Sequence, residues 1–266
     1  MNDRVQVTIA DGVADVRLVR ADKMNALDSA MMTAIIEAGE QVGADASVRA
    51  VVLSGEGRAF CAGIDMGMFR AIGGGEGAGI DLLSEKRTAS GANRAQQAAF
   101  VWRDLPIPVI AALHGVAFGG GLQVALGADL RFVTPDVKLS VMEIKWGLVP
   151  DMGGIALMRR LVRDDVARDL TFTGRTVGGE EAVAIGLATR VCADPRAEAL
   201  AYAAGIAGRS PSAIRAAKRL LNSAFDATDQ DLLLAESVEQ TALIGAADQL
   251  EAVRAGLEKR PPGFVS

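Results

Sequence analysis

The first hydrophobic pattern in the chain is a strict alternation that predicts a β-hairpin. Two alternating runs lie on either side of an Asp-Gly pair at positions 11 and 12. Their apolar members are Val5, Val7, Ile9, Ala14, Val16 and Leu18. Alternation places apolar side chains on one face of a strand, and an Asp-Gly pair favours the tight turn between two antiparallel strands. We therefore expect a hairpin here.

The pattern then changes to a helical one. Apolar residues recur every three or four positions, at Met31, Ile35, Ala38 and Val42. Such spacing lines one face of an α-helix, and Asp28 or Ser29 can cap its first turn.

Short apolar runs and helical patterns alternate over the rest of the chain. The apolar runs predict strands at residues 49–53, 109–113 and 129–133. Helical spacing predicts a helix that ends near Arg103, and further helices at residues 155–161, 164–172, 180–185 and almost everywhere after 196, with Ser210-Pro211 as one helix start. Strands interleaved with helices early, and helices alone late, predict an α/β core over residues 1–195 followed by a helical region over 196–266.

Composition and charge narrow the class of protein. The chain has 266 residues, half of them hydrophobic, and a net charge of −5, which argues against nucleic acid as the main partner. Its two cysteines, Cys61 and Cys192, give neither a disulfide framework nor a cysteine cluster for zinc, so we expect two free thiols and no metal. No run reaches the roughly 18 apolar residues of a membrane span. We expect a cytoplasmic protein that does not enter a membrane.

Two glycine-containing loops are the candidate functional site. One runs over residues 60–65 (FCAGID) and the other over residues 118–123 (FGGGLQ), and each follows a predicted strand. Such junctions can leave backbone N–H groups free to point into a pocket. Two N–H groups that converge on one oxygen would form an oxyanion hole, which stabilises an enolate or a tetrahedral intermediate.

These two loops, together with residues 147–154 (GLVPDMGG), resemble the crotonase superfamily, the enoyl-CoA hydratase/isomerase family. The likeness extends from residues 21–27 (ADKMNAL) to residues 257–262 (LEKRPP). It implies an α/β crotonase fold, a spiral of ββα units that carries the active site, with a C-terminal helical region that packs on neighbouring subunits. It also implies an acyl-CoA substrate, no redox cofactor, and a homotrimer or a dimer of trimers.

The resemblance assigns roles to particular residues. Ala62 and Gly120 match the positions whose N–H groups form the oxyanion hole, and Glu143 matches an acid/base glutamate. Apolar neighbours of Glu143 would remove water from its carboxyl group and raise its pKa, which suits proton transfer near neutral pH.

Gln123 departs from the family pattern. Hydratases of the family place a first glutamate at this position, and two glutamates together hold and ionise the attacking water. A neutral amide can hold a water molecule but cannot take its proton. Pairing with Glu143 is an equally compatible role for Gln123.

Asp151 has two open interpretations. It matches an aspartate that transfers protons in dienoyl-CoA isomerases and related enzymes, which would place two proton carriers along one acyl chain. Alternatively, it caps the helix that begins near Gly153, a common role for Asp.

The resemblance also indicates a CoA site. Main-chain groups of the first loop would bind adenine, and lysines from two parts of the chain could reach a phosphate. The candidate residues are Lys23, Met24, Ala26, Gly63, Ile64, Asp65, Gly119, Pro150 and Lys259. Met66, Met68 and Phe69 could line an acyl pocket or belong to the core. Residues 73–79 (GGGEGAG), with five glycines, predict a mobile loop near the pocket mouth.

The sequence favours double-bond isomerisation of an enoyl- or dienoyl-CoA. Hydration, with Glu143 as principal acid/base and Gln123 as a water ligand, is the alternative. An acyl-CoA-binding protein that has lost its chemistry is a third possibility.

Overall fold

A six-stranded sheet carries the fold in the computed structural model, which describes residues 3–73 and 82–264. The strands of the described chain are β1 (Val5–Ala10), β2 (Val13–Leu18), β3 (Ala50–Gly55), β4 (Val109–Leu113), β5 (Val116–Phe118), β6 (Leu130–Val133), β7 (Lys138–Ser140) and β8 (Arg190–Val191). The helices are α1 (Ser29–Ala44), α2 (Met66–Gly73), α3 (Arg94–Asp104), α4 (Gly120–Leu126), α5 (Gly154–Met158), α6 (Asp164–Thr173), α7 (Gly179–Ala184), α8 (Pro195–Ala207), α9 (Pro211–Ser223), α10 (Asp229–Leu243) and α11 (Ala247–Glu258). Two 3-10 turns, Ala21–Lys23 and Glu143–Trp146, lie between them.

The main sheet has the strand order β1-β2-β3-β4-β6-β8. Only β1 and β2 pair antiparallel, with Val5 opposite Leu18, and the other neighbours are parallel. The predicted hairpin and the three predicted strands are therefore confirmed.

A second sheet consists of β5 and β7, which pair in parallel. Each strand has three residues, too few to produce an alternating pattern, and the sequence did not predict them. Pairs of strands precede a helix three times, as β1-β2-α1, β4-β5-α4 and β6-β7-α5. This ββα repetition is the spiral that the family resemblance implied.

Helices cover both faces of the main sheet. On one face, α1 and α3 pack on alternate residues of the strands, with Met31, Ile35 and Trp102 fully buried there. On the other face, the small side chains of α8 let the helix lie close to the sheet; they are Ala199, Ala203 and Ala207.

Side-chain caps fix the starts of the predicted helices. The Asp28 carboxylate accepts a hydrogen bond from the Met31 N–H, and the Ser210 hydroxyl accepts one from the Ala213 N–H, so both predicted helix starts are confirmed. These bonds satisfy N–H groups that have no partner within the helix.

A buried lysine joins the late helices to the sheet. Lys218 of α9 donates from Nζ to the carbonyl oxygen of Ile107 at 2.8 Å and to Asp129 at 2.7 Å. Desolvation lowers the pKa of Lys218, and the charge of Asp129 opposes that shift. The division of the chain at residue 195 remains a prediction.

Three other expectations concern the chain as a whole. Cys61 and Cys192 are both free, as expected. None of the described helices is long and apolar enough to cross a lipid bilayer. The predicted mobile loop at residues 73–79 lies, after residue 73, outside the described residues.

Candidate active site

The two glycine-containing loops lie side by side. The Cys61 N–H donates to Val116 O, and the Phe118 N–H donates to Cys61 O, each at 3.1 Å. The first loop is therefore hydrogen-bonded to β5, the strand that leads into the second loop. At Gly63, which has φ +90°, a β-carbon would lie 2.7 Å from Phe118 O and 3.9 Å from Gly120 N. This close approach requires glycine, and it confirms that the loops converge.

The structure corrects the oxyanion-hole assignment in the first loop. The Ala62 N–H donates to Met24 O at 2.9 Å, so it is already bound and the prediction for Ala62 is wrong. On either side of Ile64, Leu27 N–H donates to Gly63 O at 2.7 Å and Asp65 N–H donates to Leu27 O at 2.9 Å. The Ile64 N–H itself has no acceptor among residues 3–73 and 82–264. The Gly63 N–H likewise has no backbone acceptor in the described residues, but it is directed at the buried Cys61 thiol, so Ile64 is the residue in this loop whose N–H is available.

Gly120 offers the second N–H group. It is the first residue of α4, and its N–H has no acceptor in the described part of the chain, whereas the Gly119 N–H donates to Ser140 O at 3.0 Å. A β-carbon on Gly120 would lie 2.8 Å from the Met152 sulfur and 2.9 Å from a Leu27 methyl carbon. A side chain at this position would have to displace Met152 and Leu27, whereas glycine leaves the N–H accessible.

Gln123 and Glu143 form a fixed pair. The Gln123 Nε2 donates to Glu143 Oε1 at 2.6 Å, and the Gln123 Oε1 accepts hydrogen bonds from Met152 N and Gly154 N, each at 2.8 Å. Gln123 is 3% exposed, so these bonds form where water does not compete. The predicted pairing with Glu143 is confirmed, and both hydrogen bonds to the Gln123 oxygen come from the backbone.

The Glu143 carboxyl group lies in partly dehydrated surroundings. Burial raises its pKa above the usual range, and the nearby negative charge of Asp151 raises it further, while hydrogen bonds, including the one from Gln123, oppose the shift. Its Oε2 is buried and has no hydrogen-bond partner within the described residues. The pair lines a narrow crevice together with Gly119 and Pro150.

Asp151 does not cap the helix that follows it. The N-cap of α5 is Gly153, without a side-chain hydrogen bond, and Gln123 accepts from the N–H groups at this helix start instead. The capping interpretation is therefore wrong. Although Asp151 is exposed as a residue, partial desolvation of its carboxyl group raises its pKa, with a hydrogen bond to its own backbone acting in the opposite direction.

The candidate CoA segment has an unusual backbone. Lys23 is exposed at the end of the Ala21–Lys23 turn, and Met24 and Asn25 follow with φ of 49° and 55°, in the left-handed region that non-glycine residues rarely occupy. Ala26 is buried. These conformations place the Met24 carbonyl against the Ala62 N–H.

A buried asparagine that the sequence did not single out holds this segment. The Asn25 Nδ2 donates to Glu56 O and Ala59 O at 3.0 and 2.9 Å, and its Oδ1 accepts from Arg20 N at 2.9 Å. Nothing in the spacing of the sequence indicates these long-range partners.

The Asp65 side chain supports the same loop. It accepts from Gly67 N at 2.7 Å and pairs with Arg20 at 2.9 Å. The Gly67 N–H, and to a smaller extent Arg20 and the charge of Lys23, lower the pKa of Asp65. Its carboxylate is therefore engaged within the protein.

Lys259 stands apart from these groups. It directly follows α11 with φ 53° and is exposed, and no hydrogen bond or ion pair in the described part of the chain joins it to the residues above. Its role in CoA binding remains a prediction.

Comparison with known proteins agrees with this geometry. The model of the enoyl-CoA hydratase/isomerase family matches residues 8–266. The crystal structure of an enoyl-CoA hydratase from Bacillus anthracis has a TM-score of 0.86 and 29% identity, and the match covers 98% of each chain. The chain belongs to the enoyl-CoA hydratase/isomerase family, has the crotonase fold and is an enzyme of the crotonase type.

Relatives within the family differ in the reactions that their names state. The "Probable enoyl-CoA hydratase echA6" of Mycobacterium tuberculosis is 35% identical over 263 residues, which cover 98% of each chain. The mitochondrial Delta(3,5)-Delta(2,4)-dienoyl-CoA isomerase of Mus musculus is 31% identical over 277 residues, which cover 97% of this chain and 80% of that protein. Membership of the family therefore does not determine which of these reactions the chain catalyses.

Proposed function

We propose that this protein moves a double bond within an enoyl- or dienoyl-CoA thioester by proton transfer. The observation that carries the proposal is the state of Gln123, whose amide is held by Glu143, Met152 and Gly154. The site thus has one carboxylate where hydratases of the family have two, and the neutral side chain positions that carboxylate.

The reaction needs an anion-binding site and a base. In a 3-enoyl thioester, the N–H groups of Ile64 and Gly120 bind the carbonyl oxygen, and Glu143 removes a proton from the carbon between the carbonyl and the double bond. The electron pair spreads over the oxygen and the chain as a dienolate, which the two N–H groups stabilise. Return of the proton to the far end of the former double bond gives the conjugated 2-enoyl thioester, and no atom is gained or lost.

Hydration requires groups that hold and deprotonate a water molecule, and Gln123 is poorly suited to both tasks. A water molecule must be held beside the double bond, and it must lose a proton as it adds. The Gln123 oxygen already accepts two backbone N–H groups, and its amide cannot take a proton. Both facts support isomerisation over hydration.

Asp151 is the second proton carrier in this proposal. Its carboxyl group has a raised pKa and lies close enough to Glu143 for the two charges to interact. A double bond that moves over a longer distance, as in a dienoyl thioester, needs a proton removed at one position and supplied at another. Glu143 and Asp151 together provide the two groups for such a shift.

Acyl-CoA binding involves the first loop and the adjacent segment. In this proposal the exposed Lys23 binds a CoA phosphate, and Lys259 is a second candidate. The main chain around Met24 and Ala26, and the loop from Gly63, would hold the adenine. The CoA belongs to the substrate, and the proposal needs no further cofactor.

Hydration remains the second candidate, because relatives at similar identity are named hydratases. In that case Glu143 alone would act as acid and base. Loss of chemistry, leaving an acyl-CoA-binding protein, is the third.

Product analysis separates the three. The pure protein is incubated in parallel with a 3-enoyl-CoA and a 2-enoyl-CoA; NMR locates the double bond in the products, and mass spectrometry detects the addition of water. We expect the 3-enoyl thioester to become its conjugated isomer faster than water adds to the 2-enoyl thioester. Faster formation of a 3-hydroxyacyl thioester would contradict isomerisation as the main activity, and tight binding without any turnover would indicate the binding protein.

A further inference from the structure

A mostly buried arginine beside the first loop has no part in the proposed proton transfer. The Arg20 side chain is 13% exposed, and its Nη1 donates to the Ala26 carbonyl oxygen at 3.0 Å. The same nitrogen lies 2.9 Å from an Asp65 carboxylate oxygen and 3.2 Å from an Asp28 carboxylate oxygen. We call these three contacts the arginine clamp.

The contact between Leu27 and the first loop determines where the Ile64 N–H points. The Gly63 carbonyl and the Ile64 N–H belong to one planar, trans peptide unit, so they point in opposite directions. The Leu27 N–H donates to Gly63 O at 2.7 Å, which holds the carbonyl end of this unit. The direction of the Ile64 N–H therefore depends on where Leu27 lies relative to the loop.

The arginine clamp holds residues on both sides of this contact. Ala26 and Asp28 are the neighbours of Leu27 in the chain, and Asp65 is the neighbour of Ile64. Leu27 and Ile64 form an isolated parallel bridge outside the strands of the described chain. Hydrogen bonds that involve a charged group are stronger than those between neutral groups. The clamp therefore adds strong contacts to the two backbone hydrogen bonds of this bridge.

A second arginine, three residues earlier, pairs with a carboxylate away from this bridge. Arg17 of β2 is 24% exposed, and its Nη1 lies 2.6 Å from Glu56 Oε1. Within the described residues, no hydrogen bond or ion pair of its side chain reaches residues 26–28 or 60–65. Loss of either arginine removes an ion pair, but only Arg20 contacts the residues that position the Ile64 N–H. Arg17 therefore provides a matched control.

We propose that Arg20 is a positioning residue for the oxyanion hole, which keeps the Ile64 N–H directed at the thioester oxygen by holding Asp65 against residues 26–28. The inference rests on the proposed function, because it takes the N–H groups of Ile64 and Gly120 as the groups that bind this oxygen. Arg20 acts through the backbone. A misdirected N–H costs most in the transition state, where negative charge develops on the oxygen.

Infrared spectroscopy of a bound thioester tests this inference. Octanoyl-CoA, with and without an isotopic label at its carbonyl carbon, is bound to the wild type, Arg20→Met, Arg20→Lys and Arg17→Met, and the difference spectrum isolates the thioester C=O stretch. Hydrogen bonds to the carbonyl oxygen lower this frequency, so we expect a shift in the wild type relative to the free thioester. Arg20→Met should lose about half of that shift, since only the Gly120 N–H then stays in place. Arg20→Lys, which retains a charge for Asp65, should keep more of it, and Arg17→Met all of it.

Turnover provides a second readout. In the isomerisation of a 3-enoyl-CoA, Arg20→Met should lower kcat about 10–100-fold, because a small misplacement of the N–H weakens the stabilisation of the dienolate. KM should change less than about threefold, since the bound thioester carries little charge on its oxygen. A role limited to stability would lower the melting temperature of Arg20→Met and leave the infrared shift and the kcat of the folded variant unchanged.

Two results would overturn the inference. One is the full wild-type shift or an unchanged kcat in Arg20→Met, and the other is an equal loss of shift in Arg17→Met. If Arg20→Met does not fold, Asp65→Asn takes its place with the same expectations, since it removes the charge that pairs with Arg20 and keeps an oxygen for the Gly67 N–H. Octanoyl-CoA is saturated, so the infrared outcomes do not depend on which reaction the protein performs. A wild type that binds octanoyl-CoA without any shift would contradict the oxyanion hole, and with it the proposed function itself.

Discussion

At the scale of single residues, the Glu143 carboxyl group combines a fixed position with a free oxygen. Oε1 accepts from Gln123 at 2.6 Å, and this contact sets the orientation of the group. Oε2 is buried and has no partner within the described residues, although an ionised carboxylate normally accepts several hydrogen bonds. An unpaired buried oxygen lowers the stability of the folded protein. It also serves catalysis, because it is free to accept a proton from the substrate.

The raised pKa of Glu143 predicts how activity depends on pH. A base must be ionised, so we expect turnover to fall as the pH drops through a pKa above that of an ordinary glutamate. Replacing Glu143 with Gln should lower turnover by about 10²–10⁴-fold, the usual contribution of a general base. Rates of isomerisation measured across the acid range for both proteins check both effects.

Glu143→Gln, which should lower turnover, should not lower thermal stability at neutral pH. A carboxyl group whose pKa is raised by folding stabilises the protein below its unfolded-state pKa, and this contribution is lost as the pH rises through the folded-state pKa. At neutral pH, Glu143→Gln should therefore melt at the same temperature as the wild type or higher. Full activity in the variant would contradict the role of Glu143 as the base, and a clear loss of thermal stability would show that the Glu143 carboxyl group stabilises the fold.

At the scale of elements, Gln123 holds three parts of the site together. It lies in α4, it binds the first residue of the Glu143–Trp146 turn, and it accepts from the backbone at the start of α5. The side-chain oxygen performs at α5 the capping function that Asp151 does not. The position of the base and the conformation of residues 150–154 therefore depend on one amide.

Substitutions of Gln123 separate its two roles. Gln123→Ala leaves two buried N–H groups without acceptors, so we expect a loss of about 2–4 kcal/mol in the free energy of unfolding. Gln123→Glu keeps an oxygen for those N–H groups and supplies the second carboxylate, so the protein should fold, and the ratio of hydration to isomerisation should rise at least about tenfold. Denaturant unfolding and product ratios check the two expectations. An unchanged ratio in the glutamate variant would mean that other features of the pocket select the reaction.

Sequence patterns predicted the elements better than the contacts between them. The hairpin, α1 and the parallel strands follow from local periodicity, which the chain carries over many residues. The oxyanion assignment could not be made that way, because the Ala62 N–H is bound by Met24, a residue distant in the sequence whose left-handed conformation no pattern shows. The choice between catalysis and capping at Asp151 likewise depended on where the Gln123 side chain points.

At the scale of the whole molecule, the late helices present an apolar surface to solvent. Large apolar side chains at least half exposed lie on α9, α10 and α11 and beside their ends; they are Leu221, Phe225, Leu233, Leu234, Val238, Leu250, Val253 and Leu257. Lys218 fixes α9 to the residues that precede β4 and β6. Apolar area on this scale favours association with another protein surface. We propose that copies of this chain cover it in a homotrimer or a dimer of trimers.

Light scattering coupled to size-exclusion chromatography tests that assembly. We expect the wild type to have the mass of three or six chains, and Leu234→Asp on α10 to shift it toward the monomer because a charge is then buried in the interface. Gln240→Asp, which adds a charge at an exposed polar position of the same helix, is the matched control and should leave the mass unchanged. A wild-type monomer at micromolar concentration would contradict the proposed assembly.

Solvent deuterium tests the central claim most directly. A 3-enoyl-CoA is incubated with the protein in deuterated water, and the position of each deuteron in the product is read by NMR, with Glu143→Gln as the control. Proton transfer by Glu143 predicts a conjugated 2-enoyl product that carries deuterium on the chain without an added hydroxyl group, and little conversion by the variant. A 3-hydroxyacyl product, or equal conversion by the variant, would contradict the claim that Glu143, oriented by Gln123, moves the proton.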